Sequence, residues 1–193
     1  SGLIGIGGLS NNHLDYDMPL EEAHDGLIRE MHDQVHETEV VTRKQLQDFE
    51  ELINQLNQKK NILAATPSIK PVDGWITSNF GYRDSPFTGQ KEFHSGLDIA
   101  NRHGKKVVAT ANGKISYAGR KMLLGNLVIV DHGHGKITRY GHLDKILVKR
   151  GQTVKRGDPI GLLGNSGRST GPHVHYEVKI NGTPVNPVKY ILN

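Results

Sequence analysis

The sequence predicts a mainly β domain, a compact antiparallel sheet, preceded by an α-helical, coiled-coil-like arm. Three observations predict it. Residues 19–65 hold no proline after the first position and one glycine, Gly26, in a run rich in Glu, Gln, Leu, Lys and His, which is helix-forming composition. Residues 66–74 then bring two prolines and a glycine, which break a helix and mark a domain boundary. Beyond them, short β-branched and aromatic runs alternate with Gly, Asn and Asp, the texture of closely spaced strands.

The 193 residues have room for one packed domain and an accessory segment, divided here into a flexible lead (1–18), the arm (19–66) and the domain (67–193). In the arm, Leu46, Phe49, Ile53, Leu56 and Leu63 stand three and four apart, with Lys60 filling the remaining seam position, a heptad-like stripe. Leu20, Leu27, Met31, Val35 and Val41 continue it less regularly. The pattern predicts one long amphipathic helix, or two, packing on itself or on a partner. Its polar face is acidic, which argues against a membrane-surface helix. In the domain, strands are expected over 75–80, 106–109, 114–118, 127–130, 136–140, 159–163 and 174–180, with turn pairs Asn112-Gly113 and Asn181-Gly182 among them. No helix-length insertion separates them, so the sheet is expected to be mainly antiparallel.

Composition narrows the chemistry. With 35% hydrophobic and 23% charged residues and no run of 18 apolar ones, no transmembrane helix is expected. Residues 1–12 lack the basic start and long apolar stretch of a secretory signal, so any export signal or membrane anchor is expected upstream of Ser1. There is no cysteine, and a metal site must therefore be built from His, Asp and Glu. Residues 1–66 carry 12 acidic and 5 basic side chains, a net of −7, whereas 67–193 carry 8 and 19, a net of +11. Such a basic domain attracts a polyanion, and a cell wall with free carboxylates offers the same long-range field as nucleic acid.

Seven of the eleven histidines lie in the basic domain. In His94-Ser95-Gly96-Leu97-Asp98, the His and Asp can converge on one cation if the chain bends, and Gly96 permits a bend. In Gly171-Pro172-His173-Val174-His175-Tyr176-Glu177-Val178, read as a strand, His173 and His175 share one face while Val174, Tyr176 and Val178 take the other. Together the motifs offer a His, Asp and His set, with either member of the second pair as third ligand. That set suits zinc with one position open for water. An open position marks a catalytic zinc, because the bound water is acidified to a pKa of roughly 7. Such chemistry also needs a nearby histidine to move protons and meet an oxyanion, and Tyr140-Gly141-His142-Leu143 supplies a candidate in His142.

These residues carry a resemblance. His94-x-Gly96-x-Asp98, Tyr140-x-His142-Leu143 and Ser169-Thr170-Gly171-Pro172-His173-x-His175 resemble the signature of the lysostaphin-like zinc metallopeptidases, in the same order. Phe80-Gly81-Tyr82-Arg83 and the stretches 104–119 and 151–161 are similar to that family's framework. The resemblance spans about residues 72–191 and does not reach the arm. It implies the lysostaphin-like fold, a compact antiparallel sheet with a groove over the metal. It implies His94, Asp98 and His175 as ligands of one Zn2+ ion completed by water, with His173 off the metal, and His142 and His173 as general base and oxyanion donors. It further implies a peptidoglycan endopeptidase that cuts bonds between D-alanine and a diamino acid or within glycine bridges. Its place would be the cell envelope, periplasmic or extracellular, with peptidoglycan and not nucleic acid as partner. Arg83 and Tyr140 are expected at the groove, Arg83 holding a substrate carboxylate and Tyr140 packing near His142. Loops 83–93 and 120–126 are expected to set substrate choice.

Other readings are weaker. A non-catalytic wall-binding or scaffolding protein of the same fold, regulating other hydrolases, would be favoured by a lost metal ligand, and none is lost. Stretches 104–119 and 151–161 also resemble the hairpins of lipoyl and biotin carriers, but no suitably flanked lysine is present. His132 and His134 flank Gly133 in an expected turn, a weak second metal site, and His32 and His36 read as a solvated helix face. The Gly-rich stretch 161–171 lacks the Lys and following helix of a phosphate loop. The arm is expected to self-associate through its seam, to recruit a regulatory partner, or to cover the groove, since its charge opposes the domain's.

Overall fold

The computed structural model describes residues 20–192, with side chains from His24 onward; the expected lead, 1–18, lies outside them. The described residues divide into two compact units between Gln55 and Leu56. A single helix, α1 (Leu20–Ala64), accounts for the predicted arm without a break, so of the one-helix and two-helix expectations the first holds. Along its first unit the stripe residues Leu27, Met31, Val35, Leu46, Phe49 and Ile53 are exposed. Thr38 and Thr42 lie in line with that stripe and donate their hydroxyls to the carbonyls of Gln34 and Thr38, both at 2.7 Å, leaving their methyl groups as the outward surface. No helix among the described residues is long and apolar enough to cross a membrane.

The second unit begins with the last helical turns. Pro67 and Pro71 prevent the helix from continuing, and its end is capped by the domain. The Asn112 N–H donates to Ala64 O at 2.9 Å, and Arg156 Nη2 donates to Leu63 O at 2.7 Å and Thr66 O at 3.1 Å. These bonds satisfy carbonyls that a helix terminus leaves open.

Twelve strands follow: β1 (Trp75–Ser78), β2 (Gly81–Asp84), β3 (Lys91–His94), β4 (Leu97–Ala100), β5 (Lys106–Val108), β6 (Gly113–Lys121), β7 (Gly125–Gly133), β8 (Lys136–Ile146), β9 (Thr153–Val154), β10 (Pro159–Leu163), β11 (His173–Ile180) and β12 (Thr183–Val185). Ten form one antiparallel sheet with the order β1-β4-β11-β8-β7-β6-β9, with β10 joining β5 to β8 and β12 beside β11; β2 and β3 form a separate hairpin. All seven predicted strands are present within a few residues. Asn181-Gly182 is a two-residue hairpin turn with φ of 48° and 82°, the left-handed pair such a turn requires. Gly113 differs from the expectation. It opens β6 where a Cβ would meet Asp131 O at 2.5 Å, so close approach of β7, not a turn, demands glycine. The expected loop 83–93 lies within the β2–β3 hairpin, and 120–126 takes in the ends of β6 and β7 with the tight turn 122–124 between them.

The core alternates as period-two strands dictate. Leu97 and Ile99, Val128 and Val130, and Val174, Tyr176 and Val178 are buried together with Ile115, Leu143, Ile160 and Leu163, each such side chain contributing about 1.5–3 kcal/mol. Within this apolar layer runs one polar chain. His132 donates from Nδ1 to Asn112 O (2.8 Å) and meets Thr138 Oγ1 through Nε2 (2.7 Å). The Thr138 hydroxyl also meets the Tyr140 hydroxyl, which meets Thr110, and Thr110 accepts from the Tyr176 hydroxyl. His132 is thus an internal bridging group, not half of a metal site.

Candidate active site

Strand register builds the centre. Asp98 on β4 lies opposite His175 on β11, and Ser78 on β1 lies on the other side of Asp98. His94 arrives from the end of β3, with only Ser95 and Gly96 between it and β4. Gly96 has no left-handed φ; its need is for space, because a Cβ there would lie 2.7 Å from His175 Cε1 and 2.6 Å from Tyr176 O. The chain does bend at Gly96, as expected, and close packing adds a second demand for glycine there.

The three side chains converge tightly. His175 Nδ1 lies 2.8 Å from Asp98 Oδ1, and His94 Nε2 lies 3.2 Å from that oxygen and 3.1 Å from His175 Nδ1. The opposite nitrogens are engaged: His94 Nδ1 donates to Asn79 O at 2.8 Å, and His175 Nε2 donates to Glu177 Oε1 at 3.2 Å. Each ring, when neutral, therefore aims a lone pair at the same point as the Asp98 carboxylate. Three converging lone pairs repel unless a cation lies among them, and two imidazoles with a carboxylate are a donor set that suits zinc. Without metal, a proton fills the role. Burial pushes the His175 pKa down, but hydrogen bonds and charge from Asp98 and Glu177 outweigh it and hold it at about 8. Burial likewise pushes Asp98 up, and the bonds to His175 and His94 overcome this to hold it well below the usual carboxylate range. Among the described residues, His94, Asp98 and His175 form the group able to hold a metal.

His142 and His173 stand beside this group, their ring centroids 4.7 Å apart. His142 donates from Nδ1 to Ser166 O at 2.7 Å; His173 donates from Nδ1 to Gly171 O at 2.8 Å, with Ser169 Oγ at 3.1 Å. Both leave Nε2 as the free nitrogen. Burial, and then the neighbouring His173 and His175, outweigh the Ser166 bond and bring the His142 pKa down to about 4. His142 has φ of 59°, an uncommon conformation for a residue with a side chain. The pairing explains it: Asn126 faces Leu143 and Val128 faces Tyr140, so β8 spends one more residue than β7 over this interval. The bulge re-aims His142, as bulges beside functional sites do. The five residues line one groove of about 290 Å³ with Phe87, Leu123 and Arg168.

The pattern of peptidase family M23 matches residues 92–187. The catalytic domain of lysostaphin from Staphylococcus simulans is 31% identical with a TM-score of 0.56, over 61% of this chain and 91% of that one. This chain belongs to peptidase family M23. Among its M23-type relatives, a peptidoglycan DD-endopeptidase of Vibrio cholerae, ShyA, is 47% identical over 122 residues, which is 62% of this chain and 28% of that protein. A zinc containing peptidase from Vibrio cholerae is 43% identical with a TM-score of 0.59, over 63% of this chain and 39% of that one. The chain spans little more than a quarter of the length of the curated relatives it matches, 27–28%.

Two expected residues of the M23 site sit differently from the sequence reading. Tyr140 has no exposed surface and turns its hydroxyl into the core; it supports the sheet and does not reach the groove. Arg83 lines the groove, but its guanidinium is engaged with Ser78 Oγ (2.6 Å), Glu92 Oε1 (3.3 Å) and Asp98 Oδ2 (3.5 Å), so it steadies Asp98. Sequence reasoning missed Glu177, buried beside His175 and held by Ser95 Oγ at 2.7 Å and Arg139 Nη1 at 2.8 Å. The signal was available: Glu177 lies two residues from His175 in a strand, hence on its face.

Proposed function

We propose that the domain is a zinc-dependent endopeptidase that hydrolyses peptide cross-links of bacterial peptidoglycan, with His94, Asp98 and His175 holding one ion whose fourth position takes water. The observation that carries this reading is the pairing of a three-lone-pair cluster with two further imidazoles whose Nδ1 atoms are tied back to carbonyls. Zinc so held supplies Lewis acidity toward the scissile carbonyl and toward water. His142, kept neutral by burial, presents Nε2 as a proton acceptor, and the adjacent His173 presents the matching nitrogen. Once protonated, either ring donates through Nε2 to the developing oxyanion and returns its proton to the leaving amine. The Ser166 and Gly171 carbonyls fix both ring orientations, so no reorganisation is needed. Arg83 and Glu177 keep the two ligands nearest them in place.

The likeness to peptidoglycan endopeptidases and the basic domain support a cell-envelope location, periplasmic or extracellular, with the wall as partner. The exposed stripe of α1 supports coiled-coil self-association or a regulatory partner for the arm.

Digestion of purified sacculi by the full chain, followed by mass analysis of the fragments, tests the reading. Cross-links are expected to be cut and glycan strands left intact, with loss on chelation and recovery with zinc. Cleavage that survives His175→Ala overturns the mechanism.

A further inference from the structure

The groove carries two arginines, and they are not equivalent. Arg83 is held by Ser78, Glu92 and Asp98. Arg168 is stacked over the Phe87 ring, its guanidinium carbon 4.4 Å from the centroid, with a side chain 46% exposed and Glu92 Oε2 at 3.7 Å. That separation exceeds a hydrogen bond, and Glu92 is shared with Arg83. Arg168 makes no side-chain hydrogen bond among the described residues, while its backbone N–H donates to Leu123 O at 2.9 Å and so fixes the base of the side chain on the groove wall. The next residue, Ser169, touches His173. The contact with the Phe87 ring restrains the guanidinium, and no hydrogen bond from the described residues occupies its donors; such a fork matches a carboxylate in two parallel bonds.

We propose that Arg168 determines specificity by binding a carboxylate that the substrate carries beside the scissile amide. The proposal rests on the endopeptidase reading and deepens it. Of the cross-links considered above, one made through the amine of a diamino dicarboxylic acid has a free carboxylate on the carbon bearing the amide nitrogen. A link through a lysine side chain or within a glycine bridge has none. Arg168 therefore selects the diamino dicarboxylic type.

The test uses two peptides in which D-alanine is joined to the side-chain amine of a diamino dicarboxylic acid, identical except that the adjacent carboxyl is free in one and a carboxamide in the other. The native chain is expected to favour the free acid by about tenfold or more in kcat/KM, carried mainly by KM. In Arg168→Gln the preference falls to near one, and in Arg168→Lys, which keeps the charge without the fork, it is intermediate. A native preference near one, or an undiminished preference in Arg168→Gln, overturns the proposal. If the native chain cuts neither peptide, the endopeptidase reading fails, and dissociation constants for the same pair decide the Arg168 contact separately. Equal constants overturn it; tighter binding of the free acid, lost in Arg168→Gln, sustains it.

Discussion

The Glu177 carboxylate lies 3.2 Å from Nε2 of His175, on the side of the ring facing away from Asp98. Ser95 and Arg139 hold that carboxylate, and burial, which would raise its pKa, is outweighed by the His175 and Ser95 bonds, leaving it at about 2. Glu177 therefore stays anionic and selects the His175 tautomer that points Nδ1 at Asp98 and the proposed metal site. Glu177→Gln keeps the shape and removes the charge. Zinc affinity is expected to weaken by about 10–100-fold, read by competition with a chromophoric chelator. An unchanged dissociation constant would contradict this role.

At the proposed site, zinc would displace the proton that His175 holds in the metal-free protein. The raised pKa, about 8 against an ordinary 6.5, means that this proton stabilises the metal-free fold fully below 6.5 and that the benefit fades as pH rises through 8. Zinc shows the opposite dependence. Calorimetry in buffers of different ionisation enthalpy is expected to find about one proton released per zinc at pH 7 and almost none from this group well above 8. Equal release at both pH values would refute the assignment.

Gly96→Ala places a methyl group 2.7 Å from the His175 ring, closer than carbon atoms approach. The ring must move, because the other nearby atom is the Tyr176 carbonyl oxygen of a buried strand. Zinc retained through gel filtration is expected to drop, with cleavage lost in parallel. A variant that keeps full zinc occupancy would show that the ring has room that the packing denies.

His132 governs acid stability away from the metal. Burial lowers its pKa from 6.5, against an opposing bond to the Asn112 carbonyl, so the unfolded chain binds this proton and the folded one resists it. Stability is complete above 6.5 and falls as pH drops below it. His132→Gln is expected to cost about 1–3 kcal/mol at neutral pH from imperfect pairing of Asn112 and Thr138. It should also flatten the decline of Tm between pH 7 and 5. Parallel declines in the two proteins would remove His132 as the cause.

Much of this was legible in residue order, and the exceptions share a cause. Strand β11 reads out directly because the alternation of Val174, Tyr176 and Val178 is local, and β10 because it is a short apolar run between turn residues. Strands β2, β3 and β4 did not: each is four residues of mixed polar and apolar sequence, and Ser95 and Gly96 break the run between β3 and β4, yet β3 and β4 deliver His94 and Asp98. The convergence of Asp98 on His175 is a cross-strand register, which local spacing does not encode. Tyr140 was misplaced for a sharper reason. Two residues apart on one strand, Tyr140 and His142 should share a face, and the bulge cancels that rule. Tyr140 and Leu143 both enter the core, three residues apart, which strict alternation forbids.

That bulge sets a limit on improving this protein. Removing one residue near Gly141 would restore even pairing of β8 with β7 and relieve an unfavourable backbone angle, so selection for thermal resistance alone would drift toward the repair. The same repair would turn the His142 imidazole away from the groove. Hardiness and turnover are thus opposed at a single peptide unit, and variants chosen for heat tolerance should be screened for activity before any change in 140–143 is kept.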